Sequence, residues 1–179
     1  DEKTINDAIL RLADAYFVNK SYSNALSNYN KIIAKRVTGE DYALFQRGMI
    51  QGLTNQDDAK ITTMQQLIKQ YPLSNYADDA GFEMAYTYFN KGELEKSKED
   101  LTNLIAQYPR SSYVPRAFVT IGLVQVNQDQ PSEALISFKK VVQEYPTTPE
   151  AQQALESIRL IYSDMGDAQG YFAYANTTS

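Results

Sequence analysis

The chain of 179 residues contains no cysteine, no histidine and no tryptophan. Without cysteine there is no disulfide and no thiolate metal site, but the compartment stays open, because oxidising and reducing environments both tolerate such a protein. Without histidine the commonest general base, the usual metal ligand and the simplest pH switch are gone, so an enzyme here would rest on carboxylates, lysine or tyrosine. No stretch approaches the roughly 18 consecutive apolar residues of a membrane-spanning helix, so direct membrane insertion by this segment is not expected. Seventeen Lys and Arg stand against 22 Asp and Glu, a net charge of -5 with no long block of either sign. That balance gives no nucleic-acid footprint and no polybasic membrane patch. Gly-rich phosphate loops, nucleophile elbows and metal-ligand spacings are also missing, so no cofactor and no metal is expected.

What is present begins with a hydrophobic content of 43% and 22% charged residues, which excludes disorder for most of the chain. It continues with a phrase that recurs. "LIKQYPLSNY" (67–76), "LIAQYPRSSY" (104–113) and, more loosely, "VVQEYPTTPE" (141–150) carry Tyr-Pro pairs spaced 37 residues apart. A fixed period of this size marks a repeat array. Alignment on Tyr-Pro gives 34-residue units at 78–111 and 115–148, then at 41–74 and, less perfectly, at 6–39, where Val37 replaces the proline. Residues 152–179 begin a further, partial unit. Each unit reads as two amphipathic helices with apolar residues three and four apart, broken by a polar turn and closed by proline; the period of two that marks strands is absent. Gly92 suits one such turn, and Pro131 the first turn of a second helix. The expected fold class is all-α, one array over residues 1–179, cut from something longer.

Within this frame small residues recur in the first helices at Ala13, Gly48, Ala85 and Gly122, and in the second at Ala25, Ser97 and Ala134, with Lys60 departing and Ala59 beside it. Large residues follow at Tyr16, Tyr88 and Tyr162, and at Tyr29, Met64, Leu101 and Phe138; Pro72, Pro109 and Pro146 close the units. In these positions the chain resembles the tetratricopeptide repeat over about residues 6–175. A glycine or alanine lets two helix axes approach and a bulky neighbour fills the space beside the crossing, so a larger residue at Gly122 should overpack. The resemblance implies a right-handed superhelical α-solenoid and a noncatalytic scaffold for protein-protein interaction. The phrase YPxSxYxxxA with its three-residue extension resembles more narrowly the repeats of bacterial envelope proteins, the outer-membrane assembly lipoproteins and the periplasmic coordinator of the Tol-Pal system. That implies the bacterial cell envelope on the periplasmic side, with the cytoplasm as the alternative.

In the tetratricopeptide family the first helices line the concave face, and side chains two, five, nine and twelve places into each unit meet the ligand. Carried over, these places hold Asp7, Leu10, Asp14 and Phe17; Tyr42, Phe45, Met49 and Gly52; Asp79, Phe82, Tyr86 and Phe89; and Arg116, Val119, Leu123 and Val126. The Lys, Asn and Arg of a carboxylate clamp are missing, which leaves an apolar lining of Leu10, Phe17, Tyr42, Phe45, Met49, Phe82, Tyr86, Phe89, Val119, Leu123 and Val126 as the implied partner-binding residues. Burial between neighbouring repeats is the alternative for each. An amphipathic helix or extended protein segment suits such a surface.

The remaining features read as structure. Fourteen tyrosines invite a binding role, but Tyr71, Tyr108 and Tyr145 share one address, where the ring covers the next repeat and the hydroxyl stays in water. The pairs Asp57-Asp58, Asp78-Asp79 and Glu99-Asp100 point about 100° apart on a helix and do not converge on a substrate. Lys139 and Lys140 end a helix whose dipole they complement. No catalytic residue emerges. A structural role is the alternative function: "GYFAYA" leaves Tyr171, Phe172 and Tyr174 without a complete following repeat, and uncapped solenoid ends allow a homodimer.

Overall fold

All regular structure in residues 1–176, which the computed structural model describes, is helical. The helices come in hairpins: α1 (Glu2–Val18) with α2 (Tyr22–Lys35), α3 (Glu40–Leu53) with α4 (Asp57–Gln70), α5 (Ala77–Asn90) with α6 (Leu94–Gln107), α7 (Val114–Asn127) with α8 (Pro131–Glu144), and α9 (Pro149–Asp164) with the short α10 (Ala168–Ala175). This is an α-solenoid of helical repeats. The helices divide into two units, Asp1–Thr87 and the residues from Tyr88 onward, with the division inside α5.

One backbone device turns every hairpin. Lys20, Asn55, Gly92, Asp129 and Gly166 all have φ between 55° and 76°, at 57°, 58°, 76°, 55° and 68°. The residue after each sends its N–H back to a carbonyl of the preceding helix, Ser21 to Tyr16, Gln56 to Gln51, Glu93 to Tyr88, Gln130 to Gln125 and Asp167 to Tyr162, at 2.8 to 3.0 Å. A left-handed residue with that long backward bond satisfies carbonyls that the helix end would otherwise orphan. Two of the five are glycine, for which this conformation carries no Cβ penalty, and Asn and Asp tolerate it; Lys20 does neither.

The recurring Tyr-Pro phrase forms the other joint, between hairpins. Ser74 N–H donates to the Tyr71 carbonyl and Ala77 N–H to the Ser74 carbonyl, with the same pair at Ser111 and Val114 and again at Thr148 and Ala151. Ser74 Oγ also accepts from Tyr76 N–H, as Ser111 Oγ does from Tyr113 N–H, both at 3.1 Å. The phrase repeats because two successive three-residue turns, each needing a small hydroxyl or carbonyl acceptor, reverse the chain into the next helix. The Tyr71 hydroxyl does not stay in water. It donates to Glu40 Oε2 at 2.7 Å, back to the first turn of its own repeat's first helix, because Glu40 is buried there and needs a donor.

The core sits where small residues let helices meet. In the first unit Ala13, Ala25, Tyr29, Ile32, Ala43 and Ile50 form one buried cluster; in the second, Val119, Ala134, Phe138, Val141, Ala154 and Ile158 belong to another. Each fully buried Leu, Ile or Phe contributes about 1.5 to 3 kcal/mol relative to exposure. A Cβ on Gly48 would lie 2.5 Å from Met64 Cε, and one on Gly122 2.6 Å from two ring carbons of Phe138. Lys60 departs from the small-residue rule because Gly52 makes room for it: the Lys60 stem lies 3.0 Å from where a Gly52 Cβ would stand, and its Nζ reaches Glu83 Oε2 at 2.6 Å.

Lys139 and Lys140 do not sit at a helix end. They lie five and four residues before the end of α8 and reach rings elsewhere in the second unit. Lys139 Nζ donates to the Tyr162 hydroxyl at 2.8 Å and lies over the Tyr162 and Tyr174 rings at 5.2 and 4.8 Å, and Lys140 lies 4.7 Å over Phe118. A cation is attracted to a ring face, and Lys140 also pairs with Glu144 at 3.8 Å. The cage also corrects the reading of the last helix, since Tyr174 is buried at 8% exposure while Phe172, at 66%, is open.

Candidate partner-binding face

The implied partner-binding side chains separate into three groups. Leu10, Phe17 and Tyr42 are half-buried and pack on the first-unit core. Phe45, Met49, Tyr86, Phe89 and Leu123 are half-buried, and Val126 is 42% exposed. Phe82 and Val119 are inside, at 1% and 2%, and leave the lining. Phe82 stacks on Tyr86, one turn on, with ring centroids 5.7 Å apart and planes at 15°, and Val119 belongs to the second-unit core with Phe138 and Ile158. A side chain with no accessible surface offers nothing to a partner.

In the first unit the face is built around three rings. Tyr42, in the first turn of α3, has its ring 5.4 Å from that of Tyr76, and Phe45 stacks on Tyr76 at 5.6 Å and 22°. Tyr42 also meets the buried Tyr29 edge to face at 6.2 Å. Such offset and edge contacts are worth about 0.5 to 1.5 kcal/mol each beyond burial. Asp14 ties the rings to α1: its Oδ1 accepts the hydroxyls of Tyr29 at 2.5 Å and Tyr42 at 2.7 Å. Asp41 accepts the Tyr42 N–H at 2.9 Å and the Ser74 hydroxyl at 2.6 Å.

The protons of this cluster are held firmly. Burial, then the bond to Asp14, pushes the Tyr42 hydroxyl up to about 12, and Tyr29 is raised further by the same causes. Tyr76 is raised by burial and then by Asp41, Asp79 and Asp14. The field here is negative. Tyr71, by contrast, is pushed up to about 12 first by its bond to Glu40.

Tyr76 and Asp41 escaped the sequence-based assignment. Tyr76 lies in the link between two 34-residue frames, and Asp41 stands one place ahead of the ligand-facing position at Tyr42. The signal that could have found Tyr76 is the phrase itself, which places a tyrosine at 76 and again at 113.

Elsewhere the chemistry is sparse. Among the described residues no group of three His, Cys, Asp or Glu is placed to hold a metal ion, and no helix is long and apolar enough to cross a membrane. Asp100 has its carboxyl pushed up by burial and then by Glu99, opposed by Lys96.

Residues 31–152 match the tetratricopeptide repeat-like domain. Among solved structures, that of the MamA protein superposes with a TM-score of 0.76 at 16% identity, covering 97% of this chain and 89% of that one. A tetratricopeptide repeat protein from Parabacteroides merdae gives 0.75 at 15%, covering 94% and 64%. The nearly identical TPR-like repeats of a Podosopora anserina putative kinesin light chain give 0.70 at 14%, covering 99% and 94%. No curated protein matches the sequence. At these identities the structures speak for the fold alone, an array of helical repeats. With the domain matched over most of its length, the chain belongs to the tetratricopeptide repeat-like domain family.

Proposed function

We propose that this chain is a noncatalytic interaction scaffold that takes up a peptide or protein segment on the concave face formed by its first helices. Repeats of this family commonly serve as protein-interaction scaffolds. The observation that supports the reading most is the half-exposed wall of Tyr42, Phe45 and Tyr76 in the first unit. Aromatic surface gathered in one place is costly to leave wet and is characteristic of interfaces. An amphipathic helix or an extended strand of a partner would cover it. Phe82→Ala is a poor probe because the ring is buried; Phe45→Ser on the first unit and Val126→Asp on the second change accessible positions. Screening both variants against a peptide array, at a temperature where each is fully folded by circular dichroism, should show loss of the wild-type binders. Retention of every binder by both variants would contradict the reading.

We further propose the periplasmic side of a bacterial envelope as the location, on the strength of the YPxSxYxxxA phrase, with the cytoplasm as the alternative. Fractionation of the tagged full-length protein decides between them. A second reading, self-association, has its own support at the last hairpin. Phe172, Leu160 and Met165 are 66%, 52% and 49% exposed, and Phe172 lines a cavity of about 290 Å3 together with Arg159, Tyr162 and Tyr171. Sedimentation of Phe172→Asp against wild type tests it: a concentration-dependent dimer lost in the variant supports self-association, and a wild-type monomer at high concentration removes it.

A further inference from the structure

The first-unit face carries a charge pattern that narrows its partner, an inference that rests on the docking role proposed above. Some acids of the chain are paired with bases: Asp7 with Arg11 at 2.8 Å, Glu83 with Lys60 at 2.6 Å, and Glu93 with Lys91 and Lys96 at 3.1 and 2.6 Å. Asp14 and Asp41, beside the aromatic wall, are not. Their partners are neutral hydroxyl and amide donors, and among the described residues neither carboxylate is paired with a lysine or arginine. Both bonds to Asp14 land on Oδ1. A carboxylate has about four acceptor sites, so Oδ2 keeps its capacity for a further donor.

Asp14 also stands near the C-terminal end of α1, where the helix dipole disfavours a negative charge. Its position therefore is not explained by helix capping, whereas Asp41, in the first turn of α3, is where such a charge is favoured. Tyr42, Phe45 and Tyr76 are half-buried, so the cluster keeps accessible aromatic surface, and a cation within about 6 Å of a ring centroid is attracted to a ring face. The chain uses this contact internally at Lys139, over two tyrosines. Arginine fits better than lysine, because its planar fork stacks on a ring while donating in plane to a carboxylate.

We propose that the surface formed by Tyr42, Phe45, Tyr76 and Asp14 docks a protein segment through an arginine, whose guanidinium lies on the rings and donates to Asp14 Oδ2. The negative field of Asp41 favours the same charge.

The test uses four blocked ten-residue peptides of alternating leucine and serine that differ only in one central residue, Arg, Lys, citrulline or Glu. Binding is followed by calorimetry and by the tyrosine fluorescence of the tryptophan-free protein. The arginine peptide should bind about tenfold tighter than the citrulline peptide, which has the same shape without the charge, with lysine between them and glutamate weakest. Asp14→Asn should remove the gap, since Asn Oδ1 still accepts both tyrosine hydroxyls while its Nδ2 opposes the guanidinium. Asp164→Asn, an exposed acid of the second unit, should leave it. Equal binding of arginine and citrulline peptides, or a gap that survives Asp14→Asn, overturns this inference and leaves the docking role standing. If none of the four binds, both fall. The arginine and citrulline comparison on the unmodified protein decides even if Asp14→Asn does not fold.

Discussion

Gly48 and Gly122 occupy the same address in different repeats, so replacing each by alanine is one chemical change made against two different neighbours. At Gly122 the new methyl would meet Phe138 Cε1 and Cζ at 2.6 Å and Cδ1 at 3.0 Å. Carbon atoms pack at about 3.5 to 4.0 Å, so the ring must retreat by about 1 Å. Phe138 and Met64 are both fully buried, but a planar ring has no flexible end to withdraw, whereas a thioether has three rotatable bonds. Overpacking of this kind costs about 1 to 3 kcal/mol, against about 1 kcal/mol gained by removing a glycine from a helix interior. At Gly48 the obstruction is the Met64 methyl at 2.5 Å and its sulfur at 3.0 Å. A thioether end swings aside with little strain, so the helix gain cancels or exceeds the cost. Gly122→Ala is therefore expected to be less stable than Gly48→Ala by at least about 1 kcal/mol, or roughly 2 to 4 °C in a protein of this size. Urea and thermal unfolding followed by circular dichroism at 222 nm measure this, and Phe138→Leu should partly rescue Gly122→Ala in a double-mutant cycle. Equal stability of the two alanine variants, or no coupling to Phe138, would refute the packing argument.

Three further outcomes follow from named groups. Ser97 Oγ is fully buried and finds no hydrogen-bond partner among the described residues, while Ala25 and Ala134 hold the same address; Ser97→Ala should raise stability by about 1 kcal/mol in urea melts. Lys20→Gly should stabilise by about 1 kcal/mol by relieving a left-handed lysine, whereas Asn55→Gly and Asp129→Gly should change little, as chemical denaturation of the three variants will show. Tyr42 and Tyr71 are raised in the folded state to about 12, from about 10 in the unfolded chain, so their contribution is complete below pH 10 and is lost as pH rises through about 12. The urea midpoint should fall over that window, less steeply in Tyr42→Phe, and absorbance titration should show tyrosines that ionise late.

The hairpins were legible because a stacked repeat must solve the same packing problem at each step, and Ala13, Gly48, Ala85 and Gly122 record the solution at a constant spacing. The turns were legible at Gly92 and Gly166, whereas Lys20, Asn55 and Asp129 adopt the same left-handed conformation without advertising it. Lys60 read as a departure until Gly52, eight residues earlier, proved to be its complement. On the candidate face the repeat position of Phe82 and Val119 told which helix side they occupy but not their depth, which depends on the size of neighbours such as Tyr86 and Phe138. Tyr76 was out of reach of a frame that stops before it, and the direction of Lys139 is set by Tyr162 and Tyr174, distant in sequence.

The central claim is that first helices, not second ones, meet the partner. Photo-crosslinking tests it most directly: p-benzoylphenylalanine is placed at Phe45, at Val126 and at Thr102, an exposed residue of α6, in the full-length protein in its own cells. A discrete adduct from positions 45 and 126 with none from 102 is the result expected, and adducts from 102 alone would contradict the account.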